Sequence, residues 1–132
     1  MAQESSSKSV CIIGAGAAGC LCAYFLLKKG IKNVTLFDFG SPLRTLIPTG
    51  GGRCNFAHAE YDFKTLASNY PRGEKFLYSV FSKFSTYDTI SVFNDLGVES
   101  YVQEDGRIFP VSNSAKDVRQ KILDKIKGTE FV

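Results

Sequence analysis

The sequence has one histidine, no pair of cysteines at CxxC spacing and no block of like charge. Without a second histidine near His58 or a CxxC pair, there is no ligand set for a metal ion. The four cysteines fall at positions 11, 20, 22 and 54. Cys54 has no companion at CxxxxC spacing, which excludes the dithiol chemistry of disulfide reductases. Cys20 and Cys22, on an expected helix, point about 200° apart around its axis, so they neither pair nor share an ion. Reduced thiols and a cytoplasmic setting follow. The 16 basic and 13 acidic residues are spread along the chain, and their net charge of +3 marks out no basic stripe. No nucleic-acid partner is therefore expected.

A long apolar span is also missing, although one stretch comes close. Val10 to Leu27 runs 18 residues without a charge, near the length of a membrane span. Gly14, Gly16 and Gly19 interrupt it, and only Val10 to Ile13 is continuously aliphatic. The AAGC at 17–20, which looks like a lipoprotein cleavage box, lies inside the same broken run. No membrane association is expected.

What is present is enough for a core, since 44% of the 132 residues are hydrophobic. Residues 1–8, MAQESSSK, have nothing to bury and read as a disordered N-terminus. Val10 to Ile13 reads as a strand buried on both faces of a parallel sheet. A helix is expected from Ala17 to Lys29, with Gly30 as its left-handed stop. Val34 to Asp38 is a second buried-type strand, completing a unit of βαβ size. From Gly40 to Phe56 no period is visible, so this is loop. Phe76, Leu77, Val80, Phe81 and Phe84 recur at helical spacing and read as a core face. Ser85 with Asp88 forms a capping box for a helix carrying Ile90, Phe93 and Leu96 and stopped by Gly97. Val98 to Gln103 and Arg107 to Phe109 flank an Asp105–Gly106 turn as two short strands. Ser114 and Asp117 cap a last helix with Val118, Ile122, Leu123 and Ile126 inward, ended by Gly128. Thr129 to Val132 reads as the opening of a third parallel strand. So few parallel strands leave open edges and a bare face, so residues 9–132 read as the N-terminal part of an α/β, Rossmann-like domain that leans on a missing C-terminal region or a partner chain.

Gly14-Ala-Gly16-Ala17-Ala18-Gly19 fits G-x-G-x-x-G between that strand and helix, with Asp38 nineteen residues after the last glycine. Gly14 permits the tight turn, Gly16 lets backbone approach a pyrophosphate, and Gly19 lets helix and strand pack closely. The helix N-terminus at Ala17 and Ala18 offers free N–H groups and partial positive charge. Asp38 can accept both adenosine ribose hydroxyls and repels a 2′-phosphate. The nearest arginine, Arg44, is six residues further on, which argues against NADP at this position. FAD and NAD both remain open on these grounds.

The second glycine-rich stretch, Thr49-Gly50-Gly51-Gly52-Arg53-Cys54-Asn55, implies a ligand longer than ADP. Residues without Cβ let main-chain N–H groups approach it, and Arg53 can bring charge to a phosphate or to an electron-rich flavin edge. Cys54 reads as a small buried residue and His58 as a surface or satisfied histidine. IIGAGAAG at 12–19, LIPTGGGRCNFAH at 46–58 and DGRIFPVSNSAKDV at 105–118 together resemble the BaiN-type (YhiN-like) family of FAD-dependent oxidoreductases. The chain departs from its pattern in two places: Phe56-Ala57-His58 follows RCN, and Asp38 stands where glutamate is common. The resemblance implies that Gly14, Gly16 and Gly19 hold the FAD pyrophosphate and Asp38 the adenosine ribose. It also implies that Thr49 to Asn55 lie along the flavin half, with Arg107 to Ser112 near the junction to the rest of the fold. It further implies an unidentified small-molecule substrate and NAD(P)H as electron donor in a longer protein, this part alone being inactive. No side chain offers a general acid or base. The rival readings are a catalytically silent dinucleotide-binding module and an NAD-dependent dehydrogenase, which would leave TGGGRCN without a role.

Overall fold

The computed structural model describes residues 8–132; the N-terminus expected to be disordered, apart from Lys8, lies outside them. Strand β1 (Ser9–Ile13) leads through the first glycine turn into α1 (Ala17–Lys28), and β2 (Asn33–Phe37) returns parallel to β1. Lys28 lies in the last turn of α1, and Gly30 follows at φ +82°, with Ile31 N–H donating to Leu26 O at 3.0 Å. This is the left-handed ending the sequence announces. Cys20, Ala23 and Tyr24 on one side of α1 are buried, while Cys22 on the other is exposed.

The chain then makes a long excursion. It contains two 3₁₀ turns (Arg44–Leu46 and Thr49–Gly52), β3 (Ala57–His58), α2 (Phe63–Ser68), α3 (Glu74–Phe81) and α4 (Thr86–Asp95). β4 (Ser100–Val102) and β5 (Arg107–Pro110) follow, then α5 (Ala115–Lys125), before β6 (Glu130–Phe131) returns to the first sheet. β6 pairs parallel with β2, giving the order β1-β2-β6. That adjacency matches the 3-2-1 half of a doubly wound sheet. β3, β5 and β4 form a second, antiparallel sheet around the Asp105–Gly106 turn, where Gly106 has φ +84°.

Several expectations are corrected. β1 is not buried on both faces: Ile13 is 81% exposed and Cys11 is exposed, because the described helices cover one side of the sheet only. The stretch 40–56 is not wholly irregular, since both 3₁₀ turns lie in it. The stripe on α3 is not a core face: Phe76 is 74% exposed, and no residue of α3 is fully buried. Its periodicity was real but only α2 packs closely against it. Two elements escaped the sequence reading. β3 is a two-residue bridge, too short for any period. The six residues of α2 make less than two turns, opened by Asp62, which accepts from Thr65 N–H at 2.8 Å.

The capping box is present, with Ser85 N–H donating to Asp88 Oδ2 at 2.7 Å, and Gly97 has φ +81° beyond α4. Val118, Ile122 and Ile126 face the core from α5 and its cap. With Leu36, Val34, Cys20 and Ala23 they form the layer between helices and parallel sheet. Each such aliphatic side chain contributes roughly 1.5–3 kcal/mol by burial, so the cluster holds the strand ends, and the loops between them, in register.

Candidate functional site

The first glycine turn sits where β1 meets α1. Gly14, at φ +99°, donates its N–H to Phe37 O at 2.7 Å, pinning the turn to the end of β2. At Gly19 a Cβ would fall inside the envelope of the Gly14 carbonyl oxygen and lie 3.3 Å from Ile12 Cγ2. Gly16, by contrast, has no atom within 4 Å of its Cβ position, so the approach to its backbone is clear. It is the N-cap of α1, with no side-chain cap and no acid in the first turn. The N–H groups that open the helix at Ala17 and Ala18 have no intrahelical acceptor. An anion is the natural complement of that end.

Asp38 follows β2 directly. Its Oδ2 accepts from Ala15 N–H at 2.8 Å and its Oδ1 from Gly40 N–H at 2.9 Å. These two donors, Gly40 first, hold the carboxyl below the usual carboxylate range. The folded-state value therefore lies below the unfolded one, about 3.9, and ionised Asp38 stabilises the fold. That contribution is fully present above about pH 4 and is lost as pH falls through the folded value. Asp38→Asn is expected to flatten the acid limb of a plot of thermal midpoint against pH. Equal acid limbs in the two proteins would show that the carboxylate does not secure the turn. A small pocket of about 110 Å³ opens here between Ala15, Asp38, Gly40, Pro42, Phe131 and Val132, at the carboxyl ends of β2 and β6. This is where a doubly wound sheet places its ligands.

The second glycine stretch is a tight, left-handed coil of backbone. Gly50, Gly51, Gly52 and Cys54 have φ of +57°, +68°, +87° and +63°. Cys54 N–H closes the turn on Thr49 O at 3.0 Å, and Thr49 Oγ1 donates to Leu46 O at 2.6 Å. A Cβ at Gly50 would stand 2.6 Å from Asn55 N and 2.9 Å from Phe109 Cε1, whereas Gly51 and Gly52 have nothing within 4 Å. One glycine thus serves packing and two leave open space. Arg53 lies over the Phe109 ring, its Cζ 4.0 Å from the centroid, with Nε donating to Gly50 O and Nη1 to Gln103 Oε1. Asn55 donates its amide to Ile108 O at 3.1 Å and Ala57 O at 2.9 Å once the amide is turned to match its surroundings. Cys54 is buried, and burial raises its thiol; burial likewise pushes Cys20 up to about 11. Burial thus disfavours the thiolate, the reactive form, at both positions. His58 is exposed, its ring against Gly106.

The two bends are tied together through the interior. Leu43 N–H donates to Ala15 O at 2.8 Å, α5 packs against both α1 and the turn at 49–52, and Ala15, Cys20, Leu43 and Cys54 share one buried cluster. A family model described as the HI0933-like protein Rossmann domain matches residues 8–131. The chain belongs to that family. Curated relatives include the ribosomal RNA dihydrouridine synthase of Haemophilus influenzae, 38% identical over 99 residues that cover 74% of this chain and 24% of that protein. The protein of the same name in Escherichia coli is 32% identical over 115 residues, covering 86% and 28%. Kynurenine 3-monooxygenase of Candida albicans is 46% identical over 46 residues, 35% of this chain and 10% of that one. The HI0933-like chain thus spans about a quarter of the length of its ribosomal RNA dihydrouridine synthase relatives. Among solved structures, Thermovibrio ammonificans THI4 superposes with a TM-score of 0.57 at 16% identity, covering 94% of this chain and 37% of that one, a likeness of fold. No helix among the described residues of this HI0933-like domain is long and apolar enough to cross a membrane.

The sequence reading missed Phe109, which is fully buried and carries Arg53. It also set Arg44 aside for its distance along the chain, but the turn at 41–44, closed by Arg44 N–H on Ser41 O at 3.3 Å with Leu43 at φ +56°, brings that side chain back against Gly40 and Phe39.

Proposed function

We propose that the chain forms the FAD-binding portion of a flavin-dependent oxidoreductase. The observation that carries this reading is the uncapped, acid-free start of α1 beside the open backbone of Gly16, joined through one buried cluster to a second left-handed glycine bend. The residues fit the group. Ala17 and Ala18 N–H groups and Gly16 would take the pyrophosphate, Asp38 the ribose, and Gly51 to Asn55 the flavin half. Bound FAD would supply hydride or two-electron transfer. This chain's residues bind and orient: the helix end stabilises charge, and Arg53, stacked on Phe109, retains N–H donors beyond the two in use. Further elements would supply the substrate site and the place where NAD(P)H gives its hydride to the flavin.

Titrating FAD with the 132-residue protein should quench flavin fluorescence with a Kd on the order of tens of micromolar, and ADP should reverse it. FAD fluorescence unchanged throughout would overturn the reading. Calorimetric binding of ADP with no response to FAD would favour a silent nucleotide-binding module.

A second reading concerns the substrate. The two relatives at 38% and 32% identity are named as ribosomal RNA dihydrouridine synthases, which would make a uridine base in RNA the hydride acceptor. The scattered charge of this chain gives no footprint for RNA, so on this reading contacts to RNA lie mainly in other parts of the protein.

A further inference from the structure

Arg44 belongs to no role assigned so far, yet its surroundings are specific. Its Cζ lies 4.6 Å from the centroid of Phe39, a ring that is itself 93% exposed. Stacking on an exposed aromatic holds a guanidinium in place without consuming its N–H donors. Among the described residues no hydrogen bond or ion pair engages them. Gly40 makes room for it, since a Cβ there would stand 2.7 Å from Arg44 Nε and 2.9 Å from Cδ. Arg44 is also among the charges that lower Asp38. Its neighbour Leu43 is bonded to Ala15 O, within the glycine turn.

We propose that Arg44 is a cofactor-binding residue that takes a phosphate oxygen of the dinucleotide on its adenosine side, a role that rests on reading the Gly14–Gly19 turn as a dinucleotide cradle. Three observations converge on a ligand. The fork of donors is unspent, it lies over the Phe39 ring, and it stands near enough to Asp38 to lower that carboxyl, one residue after the Leu43 that bonds to the glycine turn. Among the described residues no ion pair joins Asp38 to it, the carboxylate accepting instead from Ala15 and Gly40 N–H. A charge-assisted bond to phosphate would be added to those of the helix end.

Calorimetric titration with ADP on the wild-type protein, Arg44→Ala and Arg44→Lys tests this. Arg44→Ala should weaken ADP binding about tenfold, Arg44→Lys should recover part of the loss, and added salt should narrow the gap. Unchanged ADP affinity in Arg44→Ala would overturn the proposal and leave the cradle standing. A lysine variant as weak as the alanine variant would also overturn it, since charge would not be the cause. If the wild-type protein bound neither ADP nor FAD, the cradle itself would fall, and this role with it.

Discussion

Gly19→Ala should destabilise the protein by about 3 kcal/mol or more, with a fall in thermal midpoint of roughly 10 °C or more for a domain of this size. The new methyl group would overlap the Gly14 carbonyl oxygen and sit 3.1 Å from its carbon. Neither neighbour can yield, because Gly14 is pinned by its N–H to Phe37 O and α1 is pressed on the sheet by Cys20 and Ala23. Alanine gains about 1 kcal/mol of helix propensity over glycine, too little to offset a backbone collision. Gly16→Ala is the contrast. Its φ of −78° suits any residue, and its Cβ would meet nothing within 4 Å. That variant should unfold within about 1 kcal/mol of wild type but lose FAD affinity about tenfold or more, the methyl standing where the pyrophosphate would approach. Denaturant curves and flavin titrations on the two variants separate the roles. A Gly19→Ala midpoint within about 2 °C of wild type would mean the helix and turn are not in contact.

At the second bend the expected order is Gly50→Ala well below Gly51→Ala in stability. Both glycines have left-handed backbone, at φ +57° and +68°, which costs a residue with a Cβ about 1 kcal/mol. Only at Gly50 does the methyl also meet fixed atoms, Asn55 N and the Phe109 ring. Phe109 is fully buried and supports Arg53, so it has nowhere to retreat. A total of about 2–3 kcal/mol for Gly50 against about 1 for Gly51 follows. Urea unfolding would report it, and equal losses at the two positions would remove the packing role assigned to Gly50.

The parts of this fold written locally were legible. The strand, turn and helix from Val10 to Gly30 carry their own punctuation, as do the Ser85–Asp88 box and the Asp105–Gly106 turn. What the sequence hid depends on distance. A periodic stripe such as Phe76, Val80 and Phe84 reports the face of a helix, not whether anything lies against it. Arg44 looked remote when separation was counted in residues, and the turn at 41–44, with Leu43 in the left-handed region, cancels that separation. For the candidate site, glycine spacing located both bends, while the division of labour within TGGG became visible only from the atoms around each Cβ position.

The double tether on Asp38 bears on how a ligand would be received. A carboxylate free to rotate must be frozen when it grips a ribose, at a cost of about 0.5–1.5 kcal/mol. Here Ala15 and Gly40 have already fixed its rotamer, so folding has absorbed that loss of freedom. Each oxygen still has a lone pair to offer, aimed before any guest arrives.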